Sequence, residues 1–168
     1  MNNNEIMDDS AINDLLITVA LDSVLKEVTT NPKLTGAKNN IKSILIRMRQ
    51  ANVTCSLTNL ATRIRSVLGR YDAFDKPSIL PDPNDPVFKT IPLGKKQLGM
   101  LQLKMEIAEI VHKPERRDAK LEMIDVLQQI KIEETEVTID DLINMVQKIK
   151  TEHPLSKPNS ITSFGKTA

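Results

Sequence analysis

The sequence predicts an all-α protein made of two small helical bundles of three helices each, joined by a Pro-rich linker and followed by a disordered C-terminal tail. Three observations predict it. Apolar residues recur at helical spacing in six separate stretches, the mark of helices that bury one side. Aromatic residues are only 2% of the 168, with no Trp, so the core is aliphatic; helical bundles tolerate this better than sheets, which lean on aromatic and β-branched residues. Five prolines (Pro77, Pro81, Pro83, Pro86 and Pro92) crowd the stretch from Ala73 to Gly94, and each removes a backbone donor and restricts its predecessor, so no helix passes through.

The first helix is expected from Ser10 to Val28, with Ile12, Leu15, Leu16, Val19 and Ala20 on its apolar face and Val24, Leu25 and Val28 continuing it. Asp9 or Ser10 is the expected cap, and Thr29-Thr30-Asn31-Pro32 ends it. The second is expected over 38–50 with Ile41, Ile44, Leu45 and Met48 inward. The third runs from Leu57 to Tyr71, capped by Ser56, with Leu57, Leu60, Ala61, Ile64, Val67, Leu68 and Tyr71 in one stripe. Residues 10–72 thus form the first module, after a disordered 1–9. The Pro-rich stretch 73–94 reads as a stiffened linker or, because Ile79, Leu80, Val87, Phe88, Ile91 and Leu93 are apolar, as a tether packed along the surface.

The second module, 95–153, opens with a helix over 96–111. It places Leu98, Leu101, Met105 and Ala108 on one line, with Leu103, Ile107, Ile110 and Val111 widening it. Pro114 suits the first turn of the next helix, where its missing N–H costs nothing. That helix reaches about residue 130, with Leu121, Ile124 and Leu127 inward and Met123 and Val126 as further candidates. The last begins at Thr138, where Thr138 and Asp141 have the spacing of a capping box; Leu142, Ile143, Met145, Val146 and Ile149 form its apolar face, and Pro154 stops it. Residues 154–168 are polar and expected to be disordered.

The composition argues against several functions. The single cysteine, Cys55, forbids an intramolecular disulfide and fits a reducing compartment. No apolar run approaches the roughly 18 residues of a membrane span, and the acidic first ten residues read as neither signal nor transit peptide, so a cytoplasmic or nuclear location is expected. His112 and His153 are far apart and no metal spacing exists. The acidic pairs Asp8/Asp9, Glu133/Glu134 and Asp140/Asp141 are adjacent residues, better explained by helix dipoles than by acid–base work. No glycine-rich phosphate loop or nucleophile constellation is present, so no enzyme and no cofactor is expected. Cys55 precedes a helix, which favours a thiolate; the plainer reading is an inert, buried thiol.

Charge is locally segregated in a chain of net charge +1. Between Thr35 and Tyr71 lie Lys38, Lys42, Arg47, Arg49, Arg63, Arg65 and Arg70, without one Asp or Glu, while residues up to Leu34 carry six acids and two bases. Such a segment attracts an acidic protein surface or a nucleic acid. Stacking aromatics are absent apart from Tyr71, and a helix-turn-helix is missing its glycine-containing turn, which favours neutralisation within the chain or by a protein partner.

The second module carries Met105-Glu-Ile-Ala-Glu-Ile-Val-His-Lys, Pro114-Glu-Arg-Arg-Asp, Leu121-Glu-Met-Ile-Asp-Val-Leu-Gln-Gln-Ile-Lys131 and Asp140-Asp-Leu-Ile-Asn-Met-Val-Gln-Lys-Ile149. In helix and link lengths and in apolar spacing, residues 98–151 resemble the C-terminal nucleocapsid-binding domain of paramyxovirus phosphoproteins. The resemblance implies a three-helix bundle that docks an amphipathic helix of a nucleoprotein and tethers a polymerase to its template. The family's long oligomerising coiled coil has no counterpart here: Leu57, Leu60, Ile64, Val67 and Tyr71 give only about two heptads, which leaves self-association open. The expected function is therefore a non-enzymatic interaction protein. Its expected partner groove is lined by Met105, Ile110, Met123, Leu127, Leu142, Met145 and Ile149, with ordinary core filling as the alternative for most of them. The competing readings are a nucleic-acid-binding regulator using the basic segment and a structural subunit of a larger assembly.

Overall fold

A computed structural model describes residues 6–52, 54–71 and 86–153. Among these the fold is helical: α1 (Asp9–Thr30), α2 (Thr35–Gln50), α3 (Leu57–Gly69), a one-turn α4 (Pro86–Lys89), α5 (Lys95–Val111), α6 (Arg117–Glu133) and α7 (Ile139–Glu152). The only strands among the described residues are β1 (Cys55–Ser56) and β2 (Pro92–Leu93), antiparallel, with Cys55 opposite Leu93. The expected tail over 154–168, the first five residues and residues 73–85 of the expected linker lie outside the described residues.

Local chemistry sets the helix ends. Asp8, rather than Asp9 or Ser10, caps α1, its carboxylate accepting from the Ala11 N–H at 2.8 Å. Asn31 ends α1 and accepts from the Lys33 N–H (3.0 Å), starting a 3₁₀ turn over Pro32–Leu34 that feeds α2 three residues earlier than expected. Ser56 caps α3 by accepting from the Asn59 N–H (3.2 Å). Thr138 and Asp141 form the expected reciprocal box, each side chain accepting from the other's backbone N–H at 3.0 Å. Pro114 opens a 3₁₀ turn before α6.

The chain divides into two compact units, residues 1–105 and 106–168. In the first, Leu21, Val24 and Val28 of α1, Ile41 and Leu45 of α2, and Leu60, Ile64 and Leu68 of α3 share one aliphatic core. The ring of Tyr71 lies over Gly36, where an added Cβ would stand 2.7 Å from the ring carbon Cε1, and the Asn40 amide donates to the Tyr71 hydroxyl at 3.0 Å.

Over residues 86–94 that core favours the packed alternative over the free linker, and it corrects the expected start of the second module. Phe88, Ile91 and Leu93 belong to it, as do Leu98, Leu101 and Met105 of α5. The Leu57 N–H donates to the Ile91 carbonyl at 2.9 Å. Residues 86–94 are thus a packed segment of the first unit, and the boundary falls inside α5, between Met105 and Glu106. The reason is energetic: prolines stop a helix here, but Phe88, Ile91 and Leu93 each still gain about 1.5–3 kcal/mol on burial.

In the second unit the buried apolar residues are Ile110, Ala119, Met123, Ile143, Val146 and Ile149. Beside them lies a charged cluster. Glu106, on α5, is fully buried; Lys150 of α7 bonds it directly and also donates to Glu109 at 3.0 Å, and Gln147 donates to Glu106 at 3.1 Å. Arg116 donates to the carbonyls of Lys150 (3.3 Å) and His153 (3.2 Å), two of the acceptors that the end of α7 leaves without intrahelical partners. The His153 ring meets Glu122 at 2.5 Å.

α6 ends at Glu134, which takes the left-handed conformation (φ 54°) while the Thr135 N–H returns to the Ile130 carbonyl at 3.1 Å. Glycine adopts this conformation without the Cβ penalty. Glu134→Gly is expected to raise stability by roughly 1 kcal/mol, read as a higher urea midpoint with an unchanged slope.

Candidate functional site

The residues expected to line a groove divide sharply. Met105, Ile110, Met123 and Ile149 are buried, Met105 in the first unit and the others in the second, and serve as core. Leu142 and Met145 are half-buried, and Leu127 is exposed. The groove as drawn therefore offers a partner only its three less buried members.

The basic segment is likewise split. Arg47, Arg63 and Arg70 are exposed, with the Arg63 Nε donating to Asn59 Oδ1 at 3.1 Å. Arg49 donates to Gln102 at 3.3 Å. Lys38, Lys42, Arg49 and Arg65 each take part in a further interaction within the chain. Cys55 is half-buried; desolvation pushes its thiol pKa up, with the Arg63 charge opposing, so the geometry gives it no thiolate character.

What the structure presents instead is two helices that are apolar on two sides. α1 buries Ile17, Ala20, Leu21, Val24, Leu25 and Val28. At about 100° per residue, Ile12, Leu15, Leu16 and Val19 lie on the side opposite to these. They are exposed by 43%, 51%, 36% and 79%. This reverses the expected inward face of the first two turns of α1.

α6 also carries a second apolar stripe, here flanking its buried face rather than opposite to it. It buries Ala119 and Met123 and half-buries Val126 and Ile130. Leu121, Ile124 and Leu127, expected inward, are exposed by 51%, 41% and 38%. A single exposed leucine is ordinary, whereas a stripe at i, i+3, i+6 on a helix that already has a buried face is the pattern of a contact surface.

Charge distinguishes the two stripes. Asp8 precedes Ile12 by one turn and Asp22 follows Val19 by three residues, so acids bracket the α1 stripe, with Lys26 a turn beyond. On α6, Arg117 and Lys120 stand before Ile124 at i−7 and i−4 and Lys131 follows at i+7, all exposed, so bases bracket that stripe. Asp118 and Asp125 lie at its edge.

Other features offer less. A depression of about 110 Å³ on the first unit, lined by Asp14, Ile17, Lys96, Gln97, Met100, Leu101 and Lys104, is well below the roughly 300–1,000 Å³ of a small-molecule site. Among the described residues no three His, Cys, Asp or Glu side chains converge as a metal site, and no helix is long and apolar enough to cross a membrane. No family model, curated protein or solved structure matches the chain.

Apolar spacing, on which the expected groove rests, does not separate a core face from a contact face. The signal present in the sequence is the neighbouring charge: Arg117, Lys120 and Lys131 lie along the Leu121–Ile124–Leu127 side of α6.

Proposed function

We propose that this protein is a non-enzymatic helical interaction protein that docks an amphipathic helix on the outward face of α6 and thereby tethers its partner. The observation that carries the reading is the second apolar stripe of α6, Leu121, Ile124 and Leu127, exposed on a helix that already packs another face. An amphipathic helix laid on such a face reads it through i, i+3 and i+4 anchors. The bracketing bases favour a docking helix with acidic flanks; the setting proposed for the meeting is cytoplasmic or nuclear. A polymerase cofactor docking on a nucleoprotein, as implied by the resemblance over residues 98–151, is one instance of this role.

Titrating the full-length protein with an acidic amphipathic helical peptide while recording amide NMR spectra is the direct test. Shift changes are expected along α6, centred on Ile124, and Ile124→Lys is expected to weaken binding at least about tenfold with little change in folding, because surface substitutions usually stay within about 0.5 kcal/mol. Absence of any response on α6, together with salt-steep binding of RNA or DNA oligonucleotides lost on reversing Arg47 and Arg63, moves the function to the basic segment.

A further inference from the structure

The two outward stripes match each other. Asp8 and Asp22 are fourteen residues apart, and so are Arg117 and Lys131. At a rise of about 1.5 Å per residue each pair spans roughly 21 Å. Midway between the acids sit Ile12, Leu15, Leu16 and Val19; midway between the bases sit Leu121, Ile124 and Leu127. One stripe is acid–apolar–acid and the other base–apolar–base over the same length.

We infer that the α6 stripe of one molecule receives the α1 stripe of a second copy of this chain. The inference rests on the reading of α6 as a docking face and names its occupant. Helix ridges at i, i+3, i+4 and i+7 on α1 interdigitate with those at i, i+3 and i+6 on α6, burying side chains that otherwise face water at both ends of the contact. Opposite charges at both termini set the register and exclude α1–α1 and α6–α6 pairing, where like charges meet. The contact joins two different surfaces and the second copy has its own α6, so reciprocal exchange gives a two-fold pair and one-way exchange an open chain. One helix pair falls below the about 800 Å² per partner of a standard interface, so the association is weak and concentration-dependent. A foreign helix with acidic flanks would compete for α6 with α1 of the second copy.

Sedimentation velocity on the full-length protein over a concentration series tests this, alongside two charge variants. Asp22→Lys reverses one end of the α1 stripe, and the combined Arg117→Glu, Lys120→Glu, Lys131→Glu reverses the α6 stripe. The wild type is expected to associate, each variant alone to lose the association, and an equimolar mixture of the two to regain it. Val19→Ser, at a position too exposed to matter for folding, is expected to lose it as well, and circular dichroism verifies that every variant remains helical. A wild type that stays monomeric across the series overturns the inference, as does an association that Asp22→Lys and the α6 reversal leave unchanged. If the acidic amphipathic peptide still shifts α6 resonances of a monomeric protein, the docking reading stands and the second copy as occupant falls; if α6 responds to neither, both fall.

Discussion

Leu93→Ala is expected to destabilise the first unit by about 2–5 kcal/mol, the range for removing a fully buried leucine side chain from an aliphatic core. Leu93 is fully buried, pairs across the two-residue sheet with Cys55, and lies among Phe88, Ile91 and Leu98. A residue in a free linker costs within about 0.5 kcal/mol when truncated. Urea unfolding followed by far-UV circular dichroism separates the two outcomes, and Lys89→Ala, at an exposed position four residues earlier, is the control. A loss near zero for Leu93→Ala removes residues 86–94 from the core and restores the linker.

Lys150→Met is the second large effect, expected to cost about 3–5 kcal/mol, because it removes the cation that bonds the fully buried Glu106 carboxylate directly. Gln147 still donates to Glu106 and cannot neutralise it. Replacing both partners, Glu106→Leu with Lys150→Met, is expected to recover most of the loss, since a buried ion pair contributes little more than well-packed apolar groups of similar volume. A double-mutant cycle by urea denaturation reads the coupling. A single-variant cost below about 1 kcal/mol would mean that water reaches Glu106 and that the pair is a surface contact.

The elements were largely legible and their assembly was not. α3 follows from a stripe with one apolar side and a serine in front, and α7 from a threonine three residues ahead of an aspartate; in both, local chemistry and periodicity agree. α1 carries two apolar stripes. Ile12, Leu15, Leu16 and Val19 have the spacing of an inward face, yet Ile17, Leu21, Val24 and Val28 run unbroken to the end of the helix and meet the core. Spacing reveals a stripe and is silent on what it faces. The same ambiguity turned Leu121, Ile124 and Leu127 inward on paper. The boundary between units was missed for a different reason. Proline content reports where helices stop, whereas whether a segment packs is decided by its apolar side chains, here Phe88, Ile91 and Leu93. Glu106 and Lys150, far apart in sequence, gave no sign of meeting; a glutamate among Met105, Ile107 and Ile110 was the available hint.

The scarcity of aromatic residues has an optical consequence. Tyr71 is the sole tyrosine and there is no tryptophan. With its hydroxyl tied to Asn40 and its ring over Gly36, its fluorescence reports the junction of α2 and α3 and nothing else. Residues 106–168 contain no fluorophore beyond the phenylalanine at position 164, so melting of the second unit is dark to emission. A tryptophan placed at the exposed Gln128 would light it.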